Sequence, residues 1–316
     1  MKKSIKYTIL PVTALSLLLG GCGTQSKDDT LVESKAGNVK TEDVMKQIGN
    51  KQISKSAFQL ILNKTLEKEY GDKVKDKDIN EKLDKQKQQL GGEDKFKQAL
   101  KQQNISEDDF KDQLKIQEYQ KLLLSDSVKI SDKELKDNTM KASHILIESS
   151  EDSNKKKKQA EDIKNQLDDG ANFADLASKH SDDTQSKESG GSLGYIVKGQ
   201  MDKEFDKAAF KLKENKISNV VKTNYGYHII KANKESDFDK HKDELKQTMI
   251  QQKIQEDPSI LTDAYEKLLK KYKVKYEDKD IKKYINSNLL NGDKLKEQAS
   301  QQQMQQSSQS QMNIQE

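Results

Sequence analysis

The sequence contains no arginine and no tryptophan, and it has a single cysteine, Cys22, among 316 residues. One cysteine excludes a disulfide within the chain and a metal site built from several cysteines. Hydrophobic residues make up 32% of the chain and charged residues 35%, so any hydrophobic core must be small. We therefore expect a helix-rich, lysine-coated protein whose helices carry narrow apolar stripes.

An excess of charge of one sign is also lacking, because 57 basic residues face 53 acidic residues and the net charge is only +4. The lysines are interleaved with aspartate and glutamate along most of the chain. A surface that follows a phosphate backbone needs clustered positive charge. The composition therefore argues against a nucleic-acid partner.

No apolar run is long enough to cross a bilayer, which takes about 20 residues. The run from Ile9 to Leu19 follows three lysines and ends in Leu19-Gly20-Gly21-Cys22, the order of a bacterial lipoprotein signal. We predict a signal peptide over residues 1–21, followed by diacylglyceryl and N-acyl chains on Cys22. These chains anchor the protein to the extracytoplasmic face of the cell membrane. The alternative is an ordinary secretory signal with an incidental cysteine.

The residues on both sides of the middle region read as helices. Within residues 22–138, which begin with a polar tether, Ser106 and Ser131 each start a capping-box pattern. Residues 233–285 are again helical, with Pro258 at the start of a helix, but they are too few and too polar for an independent core. We predict that they fold back onto the N-terminal helices, and that the Gln- and Ser-rich residues 286–316 are disordered.

Residues 139–232 differ from both flanks because short apolar runs typical of strands alternate with helical segments. Strands are predicted over 142–147, 193–197, 220–222 and 227–231. Helices are predicted over 155–167, 173–179 and 205–212. Two of the four histidines, His144 and His228, lie inside the first and last strands.

The motifs of this middle region resemble the parvulin family of peptidyl-prolyl isomerases. The resemblance rests on Ser143-His144-Ile145-Leu146, on Gly190-Gly191-Ser192-Leu193-Gly194 and Gly199-Gln200-Met201, and on Tyr225-Gly226-Tyr227-His228. With the lipoprotein signal, the whole chain resembles the PrsA-type foldase lipoproteins of Gram-positive bacteria. The implied fold class is α+β: a parvulin-like domain, with a four-stranded antiparallel sheet and surrounding helices, inserted into a mainly helical lobe of N- and C-terminal segments.

The resemblance also implies the site. The residues implied for catalysis are His144, Asp183, Thr223, Tyr225 and His228, and those implied for substrate binding are Leu193, Met201 and Phe205. Asp183 is expected to face the reacting amide, and Thr223 is expected to hydrogen-bond the histidine pair. If the strands of the two histidines are neighbours, their rings can share a hydrogen bond across the sheet.

Each of these residues also has an ordinary structural interpretation. Buried histidines often serve the fold alone, Met201 and Phe205 at helical spacing often belong to a core, and Asp182-Asp183 alone reads as a solvated loop pair. A histidine metal site is disfavoured because no third ligand accompanies His144 and His228. Asn215 replaces the glycine usual in the family, and we expect the turn to survive because asparagine tolerates a left-handed conformation.

Two functions remain open. The first is an enzyme that needs no cofactor and isomerises X-Pro bonds in unfolded secreted proteins. The second is a holdase-type chaperone whose helical lobe binds such clients, with isomerase activity dispensable. The lack of arginine after the first strand argues against selection for phosphorylated Ser-Pro substrates. The resemblance raises dimerisation through the helical lobe as a hypothesis, and a solute-binding lipoprotein fits only the signal.

Overall fold

The computed structural model describes residues 30–35, 37–149, 153–298, 300 and 301. The predicted signal peptide, Cys22 and most of the polar tether lie outside these residues. The described chain divides into two compact units, one of residues 130–252 and the other of the residues before 130 and after 252. Among the described residues, no helix combines the length and the apolar character needed to span a bilayer.

The helical unit begins with a small hairpin and five helices. These are β1 Thr30–Val32, β2 Val39–Lys40, α1 Thr41–Ile48, α2 Asn50–Tyr70, α3 Asp76–Gln89, α4 Glu93–Gln103 and α5 Glu107–Ser127. Helix α5 starts where the sequence predicted, because the Ser106 hydroxyl accepts a hydrogen bond from Asp109 N and the Asp109 carboxylate accepts one from Ser106 N. Helices α3, α4 and α5 enclose a core of Ile79, Leu83, Phe96, Leu100 and Leu114.

The second unit contains the four-stranded sheet. Its elements are α6 Asp132–Asp137, β3 Thr139–Glu148, α7 Ser153–Asp168, α8 Phe173–His180, β4 Ser192–Val197, α9 Lys203–Ala209, β5 Val221–Lys222, β6 Gly226–Ala232 and α10 Phe238–Glu256. The strand order is β4-β3-β6-β5, and all neighbours are antiparallel. Asn215 has a φ of 61°, and its N–H donates to Ala232 O, so the predicted left-handed turn is confirmed.

The two faces of this sheet carry separate hydrophobic clusters, because successive side chains of a strand point to opposite faces. One cluster contains Ile145, Ile147 and Ile229 and is covered by α7 and α8. The other, which also includes β4, is covered by α9, and its members are Met140, Ala142, Leu193, Ile196, Phe205, Ala209, Ile230 and Ala232.

The chain returns to the helical unit through α11 Ser259–Lys271 and α12 Lys279–Asn288. Both helices pack on α2, whose buried Phe58, Leu62 and Leu66 recur every four residues. The Tyr272 hydroxyl donates to the Glu69 carboxylate at 3.0 Å. Helices α11 and α12 therefore fold back onto the N-terminal helix α2.

Three predicted boundaries need correction. The unit that contains the sheet begins at residue 130 rather than 139, so α6 belongs to it. Residues 233–252 group with the sheet, because Asp237 accepts hydrogen bonds from Lys141 on β3 and Tyr195 on β4. Residues 286–288 complete α12 after the fully buried Ile285, and residues 292–298 are also helical, so the predicted disordered tail cannot begin at residue 286. Residues 302–316 of that predicted tail lie outside the described residues.

Candidate active site

The two strand histidines meet on the face of the sheet that α9 covers. His144 on β3 pairs in register with Ile230, and His228 on β6 pairs with Leu146, so the two histidines are diagonal neighbours. Their Nδ1 atoms are 3.2 Å apart, and their rings stack at 28°. Both side chains are buried. Burial forces each ring nitrogen to find a partner within the protein.

Asp183 lies at one end of the histidine pair. His144 Nε2 is 2.8 Å from Asp183 Oδ2, which also accepts from the Ser186 hydroxyl at 2.5 Å. Asp183 Oδ1 accepts from Gln185 N at 3.2 Å. The bond to His144, followed by that from Ser186, outweighs burial and holds the pKa of the Asp183 carboxyl well below its usual range. Asp183 is therefore an ionised, buried carboxylate.

Thr223 lies at the other end, with Oγ1 2.9 Å from His228 Nε2. Thr223 Oγ1 accepts from Tyr225 N, and its proton has two acceptors in reach, His228 Nε2 at 2.9 Å and Gly226 O at 3.5 Å, of which the shorter contact favours His228. With both rings neutral, His228 Nδ1–H then donates to His144 Nδ1, and His144 Nε2–H donates to Asp183. Burial first, and then the neighbouring His144, lower the pKa of His228 to about 3.

Apolar side chains line this row of polar groups. Phe205 on α9 stands edge-on to both imidazoles, with ring centroids 5.9 Å from His144 and 5.3 Å from His228. Phe205 and Leu193 are buried in one cluster, and Met201 packs against that cluster while remaining half-buried. Tyr225 is 41% exposed. The structure thus brings all eight residues implied for the site into one region.

The position of Met201 corrects one prediction. The spacing of four residues predicted that Met201 and Phe205 lie on one short helix and face the same way, but the helix that holds Phe205, α9, begins only at Lys203. The Asp202 carboxylate accepts from Glu204 N at 2.9 Å and caps α9. Met201 therefore lies in the turn before the helix, and tertiary packing brings it to Phe205.

Two glycines allow neighbouring backbone segments to approach β3, the strand of His144, closely. Gly191 has a φ of 78°, its carbonyl accepts from His144 N, and an added Cβ would lie 2.2 Å from His144 O. Gly226 has a φ of 146°, and a Cβ there would lie 2.2 Å from Ile147 O.

Sequence reasoning missed three polar groups of the site. Ser186 is 2% exposed and bonds Asp183, Ser181 accepts from Leu146 N, and Asp206 is buried on α9. The Asp183-to-Ser186 spacing of three residues is typical of a turn in which a carboxylate accepts local donors, and it could have indicated Ser186. Within the described part of the chain, no three His, Cys, Asp or Glu side chains form a group that could hold a metal ion.

Comparisons with known proteins agree on the kind of molecule. A family described as the PPIC-type PPIase domain matches residues 126–236. The foldase protein PrsA of Staphylococcus epidermidis is 50% identical over 94% of this chain and 95% of its own. The chain belongs to the PrsA foldase family. The PrsA protein of Staphylococcus aureus is 47% identical over 93% of this chain and 96% of its own.

A solved structure agrees with the fold. The foldase protein PrsA from Streptococcus pneumoniae has a TM-score of 0.52 at 23% identity, covering 80% of this chain and 96% of its own. This PrsA-family chain is a peptidyl-prolyl isomerase with a parvulin domain, and the predicted fold class is confirmed.

Proposed function

We propose that this PrsA-family protein is anchored through lipid on Cys22 at the extracytoplasmic face of the cell membrane. There it isomerises X-Pro bonds of secreted proteins and assists their folding. The observation that supports the proposed site is the buried row Asp183–His144–His228–Thr223 beside the cluster of Leu193, Met201 and Phe205. Its support is geometric: a polar row and an apolar cluster meet around Phe205.

The uncatalysed X-Pro bond rotates slowly because its partial double bond gives a barrier of about 18–20 kcal/mol. Catalysis needs interactions that are stronger with the twisted amide than with the planar one. We assign Met201, Phe205 and Leu193 to binding of the proline ring in an apolar environment. The twisted amide is less polar than the planar amide, so exclusion of water favours it.

In this proposal the histidines maintain the shape of the site. All four ring nitrogens already have partners, namely each other, Asp183 and Thr223. No ring nitrogen is left for a substrate, whereas Phe205 rests edge-on against both rings. Asp183 then orients the pair through His144, and the expectation that Asp183 faces the reacting amide stays a prediction.

Exchange of a short X-Pro peptide measured by NMR tests the site. In the chain that begins at residue 23, Asp183→Ala and Met201→Ala are each expected to lose most of the acceleration, while the exposed Asp175→Ala keeps it. Circular dichroism and thermal unfolding establish that each variant is folded. Full activity in both Asp183→Ala and Met201→Ala contradicts the proposed site.

The membrane anchor has its own test. Mass spectrometry of the full-length chain expressed in a Gram-positive host is expected to find acyl chains on Cys22. Cys22→Ser is expected to abolish both this mass increase and recovery in the membrane fraction. An unmodified Cys22 on a membrane-free secreted protein contradicts lipidation.

A holdase function of the helical unit is the second candidate, and the distribution of exposed apolar residues supports it. Among the described residues, six of the seven large apolar side chains that are exposed lie in the helical unit: Leu31, Val32, Val39, Val44, Leu60 and Leu90. Exposed apolar surface is what an unfolded client can bind. Dimerisation through this unit stays a prediction, which sedimentation equilibrium tests.

Suppression of client aggregation separates the two functions. If the helical unit binds clients, Met201→Ala keeps the suppression, and Leu60→Asp, at a position that is 61% exposed, weakens it. The opposite pattern assigns the assistance to the isomerase site.

A further inference from the structure

Asp206 is a buried carboxylate that the row of polar groups around the histidines does not use. It lies on α9 directly after Phe205 and is 8% exposed. Its Oδ2 accepts a hydrogen bond from Gly199 N at 2.5 Å, and its Oδ1 is buried with no hydrogen-bond partner in the described part of the chain. A buried carboxylate with an unsatisfied oxygen costs stability, so its presence here requires an explanation other than packing.

The group that Asp206 holds is the turn that carries Met201. Gln200 N donates to Val197 O, and Val197 N donates to the Gln200 side chain, which closes the turn after β4. Gly199 has a φ of 95°, and its N–H points out of this turn toward α9. The backbone N–H of Met201 also lowers the pKa of Asp206. The carboxylate therefore holds Gly199 through a hydrogen bond and favours the N–H of Met201 electrostatically.

We propose that Asp206 is a positioning residue for isomerisation, whose carboxylate holds the turn of residues 199–201 against α9 and so places Met201 beside Phe205. The proposal rests on the proposed role of Met201 in binding the proline ring. Phe205 and Asp206 are consecutive, so one helix supplies both the buried ring and the group that holds Met201 next to it.

An ionised carboxylate suits this task better than an amide. It presents only acceptor lone pairs, whereas an asparagine offers one carbonyl oxygen and an NH₂ group that repels a second N–H. Asparagine at position 206 therefore offers Gly199 N–H only an uncharged oxygen, and so loses the charge-assisted bond, while it avoids the desolvation of a buried charge. Asp206→Asn should then leave the fold stable while Met201 loses its position.

The charge of Asp206 is sensitive to its surroundings. Burial raises the pKa of Asp206 above its ordinary value of 3.8, and the two backbone N–H groups only partly oppose this effect. The charged groups that act on it are Lys198, which follows β4 and lowers the pKa, and Asp202, which caps α9 and raises it. From α10, the nearest side chain to Gly199 is the uncharged Gln252.

The test compares four proteins that begin at residue 23: wild type, Asp206→Asn, Met201→Ala and Glu204→Gln. Glu204→Gln removes a carboxylate from the same helix at an exposed position and serves as the matched control. KM and kcat are measured by NMR exchange on a blocked X-Pro peptide without ionisable side chains, and the melting temperature is measured in parallel.

We expect Asp206→Asn to raise KM about fivefold, the effect of one lost hydrogen bond, with kcat within about twofold of wild type. Its melting temperature stays equal to or above that of wild type, and Glu204→Gln matches wild type in every respect. As the pH falls toward the raised pKa of Asp206, the KM of wild type rises toward that of Asp206→Asn, whose own KM does not change. A merely structural role predicts lower stability and parallel pH profiles.

An unchanged KM in Asp206→Asn together with a raised KM in Met201→Ala overturns this inference alone. Parallel pH profiles of wild type and Asp206→Asn overturn it as well. An unchanged KM in Met201→Ala overturns the proposed proline pocket, and with it the role of Asp206.

Discussion

The Nδ1 atoms of His144 and His228 lie 3.2 Å apart on neighbouring strands, so the two rings share one proton between these atoms. The bonding of the outer nitrogens decides which ring carries it. With Thr223 donating at one end and Asp183 accepting at the other, the hydrogen bonds of the row all run in one direction. The two histidines therefore link β3 and β6 to Asp183 and Thr223, and so contribute to the stability of the fold as well as to the site.

Thr223→Val tests this row, because it removes the donor to His228 Nε2 while keeping the shape of the side chain. We expect a loss of about 1–3 kcal/mol in the free energy of unfolding, the cost of a buried unsatisfied polar atom. Urea denaturation followed by circular dichroism measures it. Thr262→Val is the matched control, since Thr262 is equally buried and its hydroxyl only donates to Ser259 O within a helix. Equal losses in the two variants would contradict the row.

Acid should weaken the protein through His228. Its pKa is lowered from 6.5 to about 3 by burial, so between these values the unfolded chain binds a proton that the folded protein excludes. The free energy of unfolding therefore falls as the pH decreases from 6.5 toward 3. Asp183, with its pKa lowered from 3.8, adds a further loss as the pH falls below 3.8.

Urea titrations at several pH values measure this loss of stability. His228→Gln is expected to have a shallower slope of unfolding free energy against pH than wild type. If His228→Gln runs parallel to wild type, His228 is not the source of the acid sensitivity.

Gly191→Ala should be far more harmful than Gly194→Ala, although both glycines have positive φ values of 78° and 68°. Alanine at Gly194 meets open space, so it costs only the backbone strain of about 1–2 kcal/mol. At Gly191 its Cβ would lie 2.2 Å from His144 O, so β3 must shift and the free energy of unfolding should fall by about 3 kcal/mol or more. Urea denaturation of both variants measures the difference, and similar losses would show that the backbone of His144 is not constrained there.

Local patterns in the sequence predicted most of the fold. Alternation placed His144 and His228 on one sheet face, and Ser106 and Ser131 start helices as their capping-box patterns predicted. Met201 was misplaced because α9 begins only after its capping residue Asp202, which leaves Met201 in the preceding turn. Ser186 and Asp206 were missed because both lie in polar segments, where nothing in the sequence indicates that a side chain is buried. The boundary at residue 233 was wrong because Asp237 binds strands that are distant in sequence.

Asp237→Asn should loosen the start of α10. The carboxylate accepts two bonds from Lys141 Nζ, at 2.9 and 3.0 Å, and one from the Tyr195 hydroxyl at 3.1 Å. The pKa of Tyr195 is raised to about 12 by burial and then by this carboxylate. Without the negative charge, the pKa of Tyr195 should fall part of the way toward 10, because burial persists.

The titration of Tyr195 can be followed by NMR of the chain with 13C-labelled tyrosine Cζ, with Tyr195→Phe identifying the signal. We expect hydrogen exchange of the first turn of α10 to accelerate in Asp237→Asn, because the neutral amide no longer forms a charged pair with Lys141. Asp239→Asn is the control, since it removes a carboxylate from the same turn of α10 at an exposed position. An unchanged Tyr195 pKa in Asp237→Asn would mean that burial alone raises it, and unchanged hydrogen exchange would mean that α10 starts where it does without help from the sheet.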